Sequence, residues 1–345
     1  MKTDFTADAF LGALYPRLTG DPFAAARDAE SAAGARDALR KKLRNFLGLP
    51  ELEEMDCGGA PEPVDEPVVA KDYAARKYAF EVLPGLVTPV WLLLPAGRKE
   101  NAPAAVALCG HGYGVRQIVG VTKRDTLKRT RYFDDYQRHF AVELVRRGCV
   151  VAAPEPVAFG EARLKEDLWK PFYASSCDTV THRLLPYGLT TAGVRVFQAI
   201  ACLRWLRTLR DVDPTRIGVM GISGGGLTAL YASVCEPSFA RTAVSGYVCT
   251  FRDSILARWH CPDNYIPGVL RLGEIGDLAA AVAPRPLLIE SGERDPLFPI
   301  AGAREAHERA RRIYAMMNAP DALTVDVFNG KHRVSGAAAF DFMSE

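Results

Sequence analysis

The chain has 345 residues, of which 48% are hydrophobic and 24% are charged, and its formal net charge is +2. This length fits one large α/β domain with additions, or two domains. The near balance of charge gives no support for a nucleic-acid partner. The apolar stretch VTPVWLLLPAG is interrupted by Pro89 and Pro95 and is too short to cross a bilayer, so no membrane contact is expected.

The N-terminus and the cysteines both favour a cytoplasmic protein. The first twenty residues lack an apolar segment followed by a small-residue cleavage site, so they make a poor secretory signal. The eight cysteines include no C-x-x-C pair, so their spacing supports neither a zinc nor a redox site, and we expect no metal and no cofactor. Cys109, Cys149, Cys202 and Cys235 lie in apolar patterns, as free buried thiols in a reducing compartment do.

The first part of the chain is predicted to be helical. Residues 1 to about 50 are rich in Ala, Leu and Arg, with a helix start at Asp21-Pro22 and a helix end near Gly48 and Pro50. The segment CGGAPEPVDEP has the composition of a linker. We therefore predict a helical extension with linker over 1–67 and a main domain over 68–345. The N-terminal helices are candidates for a homo-oligomer contact.

After the linker, strands and helices alternate. The stretches AARKYAFEVL and VTPVWLLLP predict an antiparallel pair with a turn at Pro84-Gly85. The predicted elements that follow are strand 104–109, helix 134–147, strand 149–156, helix 191–210, strand 217–220, helix 227–234, strand 241–248, strand 285–295, a helix at about 300–317 and strand 323–332. This order is typical of a mostly parallel sheet with helices on both faces, whose ligands bind at the carboxyl ends of the strands.

The stretch RIGVMGISGGGLTAL places Ser223 between a predicted strand and a predicted helix. Gly221, Ser223 and Gly225 form the pattern G-x-S-x-G of a nucleophile elbow, in which glycines allow neighbouring backbones to approach closely. The alternative is a glycine-rich turn that happens to contain a serine. We predict Ser223 as a catalytic nucleophile.

A serine nucleophile needs a base and an acid that orients the base. His332 is the histidine that lies both downstream of the elbow and at the end of a predicted strand. The stretch LLIESGERDPLFP offers Asp295 in the loop after its strand, with Glu293 as the alternative acid. Asp295 has a second interpretation, as a cap of the next helix. We predict the triad Ser223, His332 and Asp295.

Two backbone N–H groups are predicted to form the oxyanion hole. One belongs to Gly224, directly after the nucleophile, and the other to Tyr113 in the loop CGHGYG. His111 is expected to support this loop or to contact substrate.

Two insertions at strand ends, 155–190 and 250–275, are expected to border the crevice. Aromatic residues in such loops either stack on sugar rings or pack a lid, and arginines either bind an anionic group or form surface ion pairs. The substrate-contact candidates besides His111 are Arg116, Trp259, His260 and Tyr265, with Arg163, Arg183, Arg252 and Arg258 as further arginines.

These motifs together resemble an α/β-hydrolase. The chain is similar to the dienelactone-hydrolase-like branch with the acetyl xylan esterases and cephalosporin deacetylases, through HGYG, DPTRIGVMGISGGG, GERDPLFP and GKH over roughly residues 100 to 335. The segment ARWHCPDNYIPGVL resembles uncharacterised esterases close to the acetyl xylan enzymes. The resemblance implies an α/β-hydrolase fold and a Ser–His–Asp esterase without a metal. Gly224 stands where the deacetylases usually have glutamine, so their substrate preference does not carry over.

The sequence therefore predicts a serine esterase for a small-molecule ester, with a short acyl group. A peptidase of the prolyl-oligopeptidase type is an alternative, although residues 1 to 100 are too few and too helical for its β-propeller. A catalytically inactive binding protein on the same fold is the other alternative, because a fold alone does not prove activity.

Overall fold

The structure of the protein, a computed structural model, describes residues 5–97, 100–121 and 136–345. Within these ranges the helices are α1 (Asp8–Leu18), α2 (Ala29–Leu47), α3 (Leu49–Glu54), α4 (Arg116–Val119), α5 (Phe140–Arg146), α6 (Cys177–Leu184), α7 (Thr191–Leu206), α8 (Gly224–Cys235), α9 (Ile275–Ala280), α10 (Ile300–Met316) and α11 (Ala339–Ser344). The strands are β1 (Glu62–Pro63), β2 (Val68–Val69), β3 (Tyr73–Leu83), β4 (Leu86–Pro95), β5 (Ala102–Leu108), β6 (Val150–Pro154), β7 (Val212–Ile222), β8 (Thr242–Ser245), β9 (Leu287–Gly292) and β10 (Leu323–Phe328).

The strands form one sheet in the order β1-β3-β4-β6-β5-β7-β8-β9-β10, with β2 paired to β3. Along the sheet, the neighbouring strands β6, β5, β7, β8, β9 and β10 run parallel to one another. The pairs β1–β3, β2–β3, β3–β4 and β4–β6 are antiparallel. The predicted hairpin of β3 and β4 is confirmed, and so is the mostly parallel sheet.

The register of the parallel strands brings their carboxyl ends to one edge. Leu108 of β5 lies opposite Gly221 of β7, and Ile222 lies opposite Ser245 of β8. On the other side, Gly292 of β9 lies opposite Phe328 of β10. The loops after β5, β7, β9 and β10 therefore leave the sheet side by side, as ligand-binding loops of such sheets do.

The parallel strands are buried on both faces. In β5, Ala104 and Val106 belong to one apolar cluster, while Ala105 and Ala107 belong to another on the opposite face. Helices α2, α7, α8 and α10 cover the first face, and α4, α5 and α11 cover the second. Successive side chains thus pack into two different cores. This is why the sequences of these strands are continuously apolar.

The predicted helix start at Asp21-Pro22 is wrong. The Asp21 carboxylate accepts the N–H of Phe23 at 3.1 Å in a turn, and α2 begins only after Asp28. Asp28 accepts the N–H of Ser31 at 2.8 Å in a capping box, which stabilises this start instead. The predicted end is confirmed, because Gly48 has φ +74° and caps α2.

Several other predicted ends differ from the structure. α7 ends at Leu206 instead of residue 210, and the Thr208 hydroxyl donates to the carbonyl of Trp205 at 2.7 Å beyond it. β10 ends at Phe328, whose carbonyl accepts the N–H of Gly330 at 2.8 Å. The predicted start of helix 134–147 lies outside the described residues. β1 lies within the predicted linker, and the domain boundary at residue 67 stays a prediction.

In the part of the chain that the structure describes, no helix combines the length and apolarity that a membrane span requires.

Candidate active site

Ser223 occupies a strained turn between β7 and α8. Its φ of +57° and ψ of −123° lie outside the regions that non-glycine residues favour. A Cβ at Gly221 would lie 2.1 Å from the carbonyl oxygen of Gly225, and a Cβ at Gly225 would lie 2.0 Å from that of Leu108. The glycines are therefore required by close backbone contact, and the serine has the conformation of a nucleophile elbow.

His332 and Asp295 form a buried pair at the same sheet edge. Nδ1 of His332 lies 2.7 Å from Oδ2 of Asp295, and the aspartate is 5% exposed. The other carboxylate oxygen accepts the N–H groups of Leu297 at 2.8 Å and Phe298 at 3.1 Å. The carboxylate is thus held in place on one side and orients the imidazole on the other.

The imidazole of His332 is fixed by aromatic contacts and keeps one nitrogen available. Its ring stacks near Tyr136 at 5.5 Å and Phe298 at 5.7 Å between centroids. Its Nε2 is buried and has no hydrogen-bond partner among the described residues. This is the nitrogen that a general base would use toward a serine hydroxyl.

The two alternatives for the acid are separated by the loop conformation. Glu293 is exposed, and its backbone N–H donates to the carbonyl of Phe328 at 3.0 Å. α10 begins at Ile300 with Pro299 as its N-cap residue, so Asp295 does not cap that helix.

Tyr136 and Gln137 hold the loop after β5 by hydrogen bonds. The Tyr136 hydroxyl donates to the carbonyl of His111, and the N–H of Gly110 donates to Oε1 of Gln137 at 2.8 Å. Nε2 of Gln137 in turn donates to Oε1 of Gln117 at 2.6 Å. These bonds fix the segment that includes Tyr113.

Glu155 supports the same loop from the end of β6. Its Oε1 accepts the N–H of Val115 at 3.0 Å, and a Cβ at Gly114 would lie 2.3 Å from this oxygen. Gly114 has φ +65°, so glycine suits the position for both reasons. Burial raises the pKa of Glu155 to about 7.

Gly224 is the first residue of α8, so its N–H has no partner within the helix. A Cβ at this position would lie 3.0 Å from ring atoms of His111. The predicted donor loop and the predicted donor after the serine therefore lie beside each other.

An open cleft of about 730 Å³ connects these groups. Its lining includes Ser223, His332, His111 and Tyr136 together with three cationic residues, Arg294, Lys331 and Arg333. The cleft gives a small molecule access to the serine and histidine at once.

The substrate-contact candidates of the insertions are not among the described residues that line this cleft, although His260 lies close to it behind Phe298. Trp259 is 79% exposed, and His260 is buried with its ring 5.4 Å from that of Phe298. The Tyr265 hydroxyl donates to the carbonyl of Ile255 at 3.2 Å. Among the candidates, His111 is the one that the described cleft lining includes.

The candidate arginines are engaged within the protein. Arg116 is buried and forms an ion pair with Glu161. The others contact backbone carbonyls or carboxylates: Arg163 with Gly160 and Pro171, Arg183 with Glu166, Arg252 with Asp253 and Glu305, and Arg258 with Asp253.

A second polar cluster lies behind His111. Nε2 of His111 is 3.3 Å from Oδ2 of Asp263, which also pairs with the buried Arg195. Nη2 of Arg195 lies 3.1 Å from Sγ of Cys177, and Cys261 is adjacent. Burial lowers the pKa of His111, but the Asp263 carboxylate outweighs burial and raises it to about 9. All eight cysteines are free.

Sequence reasoning missed several of these residues. Glu155 has a usable signal, since a carboxylate directly after a buried strand lies at the functional edge of the sheet. Tyr136, Asp263 and Arg195 have none, because they reach the site from loops or helices whose position only the fold determines.

Comparison with known proteins gives a consistent assignment. A family model described as "Abhydrolase family" matches residues 23–332. The Bacillus subtilis (strain 168) protein named "Putative hydrolase YtaP" is 24% identical over 243 residues, which are 69% of this chain and 75% of that protein.

Two solved structures share the fold. One, named a putative acetyl xylan esterase, from Bacteroides fragilis NCTC 9343, has a TM-score of 0.76 at 19% identity and is matched over 94% of this chain and 83% of its own. The other, a glucuronoyl esterase from Solibacter usitatus, has a TM-score of 0.63 at 16% identity, over 94% of this chain and 95% of its own. At these identities the likeness establishes the fold.

Proposed function

Because the chain belongs to the Abhydrolase family, we propose that it is a serine hydrolase of carboxylic esters with short acyl groups. The observation that carries the proposal is the pair of His332 and Asp295: Nε2 of His332 has no hydrogen-bond partner among the described residues, and His332 and Ser223 line the same cleft. The esterase names of the two similar structures add support for ester substrates.

In the first half-reaction, Ser223 Oγ attacks the ester carbonyl carbon while Nε2 of His332 takes the hydroxyl proton. The Asp295 carboxylate accepts a hydrogen bond from Nδ1–H throughout, stays ionised and stabilises the imidazolium. The negative charge on the carbonyl oxygen is stabilised by the N–H groups of Gly224 and Tyr113. The carbon–oxygen bond to the alcohol then breaks, and His332 protonates the leaving alcohol.

In the second half-reaction, water attacks the acyl-enzyme. His332 takes one proton from the water, and the resulting hydroxyl forms the new bond to the acyl carbon. The bond to Ser223 Oγ then breaks, the serine regains the proton from His332, and the carboxylic acid leaves.

The other two functions fit the structure less well. The described residues before β3 form three helices and two short strands, without the propeller of a prolyl oligopeptidase. An inactive binding protein would have no need for a strained serine in the same cleft as an oriented histidine, because such strain costs about 1–3 kcal/mol.

The test is hydrolysis of p-nitrophenyl acetate, butyrate and octanoate by the wild type and by Ser223→Ala. We expect acetate to be the best substrate and the variant to lose at least roughly 10⁴-fold in kcat. Ser238→Ala, at an exposed turn, is the matched control and should keep full activity. Undiminished hydrolysis by Ser223→Ala would contradict the proposal, and a preference for octanoate would contradict its short-acyl part.

A further inference from the structure

Four side chains of types that bind metals converge behind the loop 109–114, which is called the oxyanion loop below. They lie outside the proposed catalytic residues. They are His111 of that loop, Cys177 at the start of α6, and Cys261 and Asp263 at the short helical turn of the second insertion. No two of their ligand atoms are more than 4.8 Å apart. Cys177, Cys261 and Asp263 are buried, which limits competition from water.

The donor set suits one metal in particular. Two thiols, an imidazole and a carboxylate match the tetrahedral coordination of Zn²⁺, and thiolates disfavour Mg²⁺ and Ca²⁺. Zinc bond lengths place tetrahedral ligand atoms about 3.3–3.8 Å apart. Nε2 of His111 and Oδ2 of Asp263 are 3.3 Å apart, so this pair already has the separation that two ligands of one zinc ion require.

The histidine nitrogen is incompletely satisfied in the described structure. Nε2 of His111 is buried, and its charged neighbour Oδ2 of Asp263 lies 3.3 Å away without the geometry of a hydrogen bond. A metal ion bound to both atoms would satisfy the nitrogen better than this contact does. Asp263 is already oriented, since Nδ2 of Asn264 donates to its other oxygen at 2.7 Å.

The surrounding charge also fits a bound divalent cation. Two thiolates and one carboxylate carry three negative charges, which Zn²⁺ and the buried Arg195 together neutralise. Arg195 is fixed over the ring of Phe159 at 4.2 Å, and its Nη2 lies 3.1 Å from Sγ of Cys177. An N–H donor to a metal-bound sulfur is a typical outer-shell contact.

We propose that His111, Cys177, Cys261 and Asp263 bind one Zn²⁺ ion. The ion connects the oxyanion loop to both insertions, so it has a structural role and takes no part in the acyl transfer at Ser223. It fixes the ring of His111 against Gly224, where a Cβ would already lie 3.0 Å from that ring.

The test uses Co²⁺ as a spectroscopic probe on the full, reduced chain under anaerobic conditions. We expect one equivalent of Co²⁺ to give a thiolate-to-metal charge-transfer band and the intense visible bands of a tetrahedral site, and Zn²⁺ to abolish both. The double variant Cys177→Ser/Cys261→Ser should lose the charge-transfer band, and each single variant should weaken it. Cys202→Ser, which removes a buried thiol of α7 outside the cluster, should keep it.

Three outcomes would overturn the proposal. The first is a reduced wild type without the charge-transfer band, and the second is a band that survives both cysteine substitutions. The third is a Cys177–Cys261 disulfide by intact mass in the chain as isolated, with no metal uptake after reduction. If circular dichroism shows that the Cys177→Ser and Cys261→Ser variants do not fold, His111→Gln is tested in their place. This variant must lose tight binding of Co²⁺.

A thermal melt gives a second measurement. Zn²⁺ should raise the Tm of the wild type and leave that of the cysteine variants unchanged. Ser223→Ala should bind Co²⁺ like the wild type, so failure of the esterase proposal and failure of the metal proposal are distinguishable.

Discussion

Replacing Asp295 with asparagine should lower kcat/KM for p-nitrophenyl acetate by roughly 10⁴-fold. Asparagine has nearly the same shape, and its carbonyl oxygen can still accept the N–H groups of Leu297 and Phe298. Its NH₂ group, however, faces Nδ1 of His332 as a donor, so the ring places its proton on Nε2. That tautomer cannot take the proton of Ser223.

The size of the effect follows from the geometry. A unit negative charge 2.7 Å from a developing imidazolium contributes about 6 kcal/mol at an effective dielectric constant of about 20. A 10⁴-fold loss corresponds to about 5.5 kcal/mol. The aspartate is 5% exposed, so solvent screening reduces this attraction little.

The assay is steady-state hydrolysis, with thermal melts to show that each variant is folded. Glu293→Gln is the matched control, because it removes the alternative acid from the same loop, and it should stay within about twofold of the wild type. An Asp295→Asn enzyme within about tenfold of the wild type would refute the reasoning. So would an equal loss in Glu293→Gln.

Three further predictions concern the framework of the site. Because the pKa of Glu155 is raised from 4.5 to about 7, its carboxyl binds a proton more readily in the folded state. The contribution of Glu155 to the stability of the wild type should therefore fall as the pH rises from about 4.5 to about 7, by roughly 3 kcal/mol. Glu155→Gln should lack this decline in urea denaturation across that window, and an identical pH dependence would contradict the assignment. Gly225→Ala places a Cβ 2.0 Å from a backbone oxygen and should cost more than about 3 kcal/mol of unfolding free energy. Gly59→Ala, which meets nothing within 4 Å, should cost less than about 1 kcal/mol, and similar losses in both would contradict the steric argument. Tyr136→Phe removes the hydroxyl that holds the oxyanion loop and should lower kcat by roughly 3–10-fold; unchanged kcat would show that the loop does not depend on this bond.

The elements with strong local signals could be predicted from the sequence. The strand, turn and helix around Ser223 follow from apolar runs and from glycines that no larger residue can replace. The parallel order then brings the loops with Tyr113, Asp295 and His332 to one edge without any knowledge of side-chain contacts.

Helix ends were less predictable, because several residues compete for the same role. Asp21 and Asp28 both have the chemistry of a cap, and each accepts a backbone N–H. The start of α2 depends on which of the two aspartates is followed by residues that continue as a helix. Ser31 completes the capping box at Asp28, so the helix begins there.

The tertiary structure placed two nearby acidic residues in different surroundings. Glu293 and Asp295 belong to one loop, and only its folded path buries Asp295 against His332 while it leaves Glu293 exposed. The fold also decided the surroundings of Arg116, a substrate-contact candidate, because its side chain forms an ion pair with Glu161 inside the protein.

The sequence by itself determined the sheet, the elbow and the edge at which the predicted catalytic residues lie, because these depend on local sterics and on hydrophobic periodicity. Only the tertiary structure brought Cys177 and Cys261 together with His111 and Asp263. These residues lie in irregular insertions far apart in the chain, where no periodicity relates one position to another. Their contacts arise from how the insertions pack against the finished sheet.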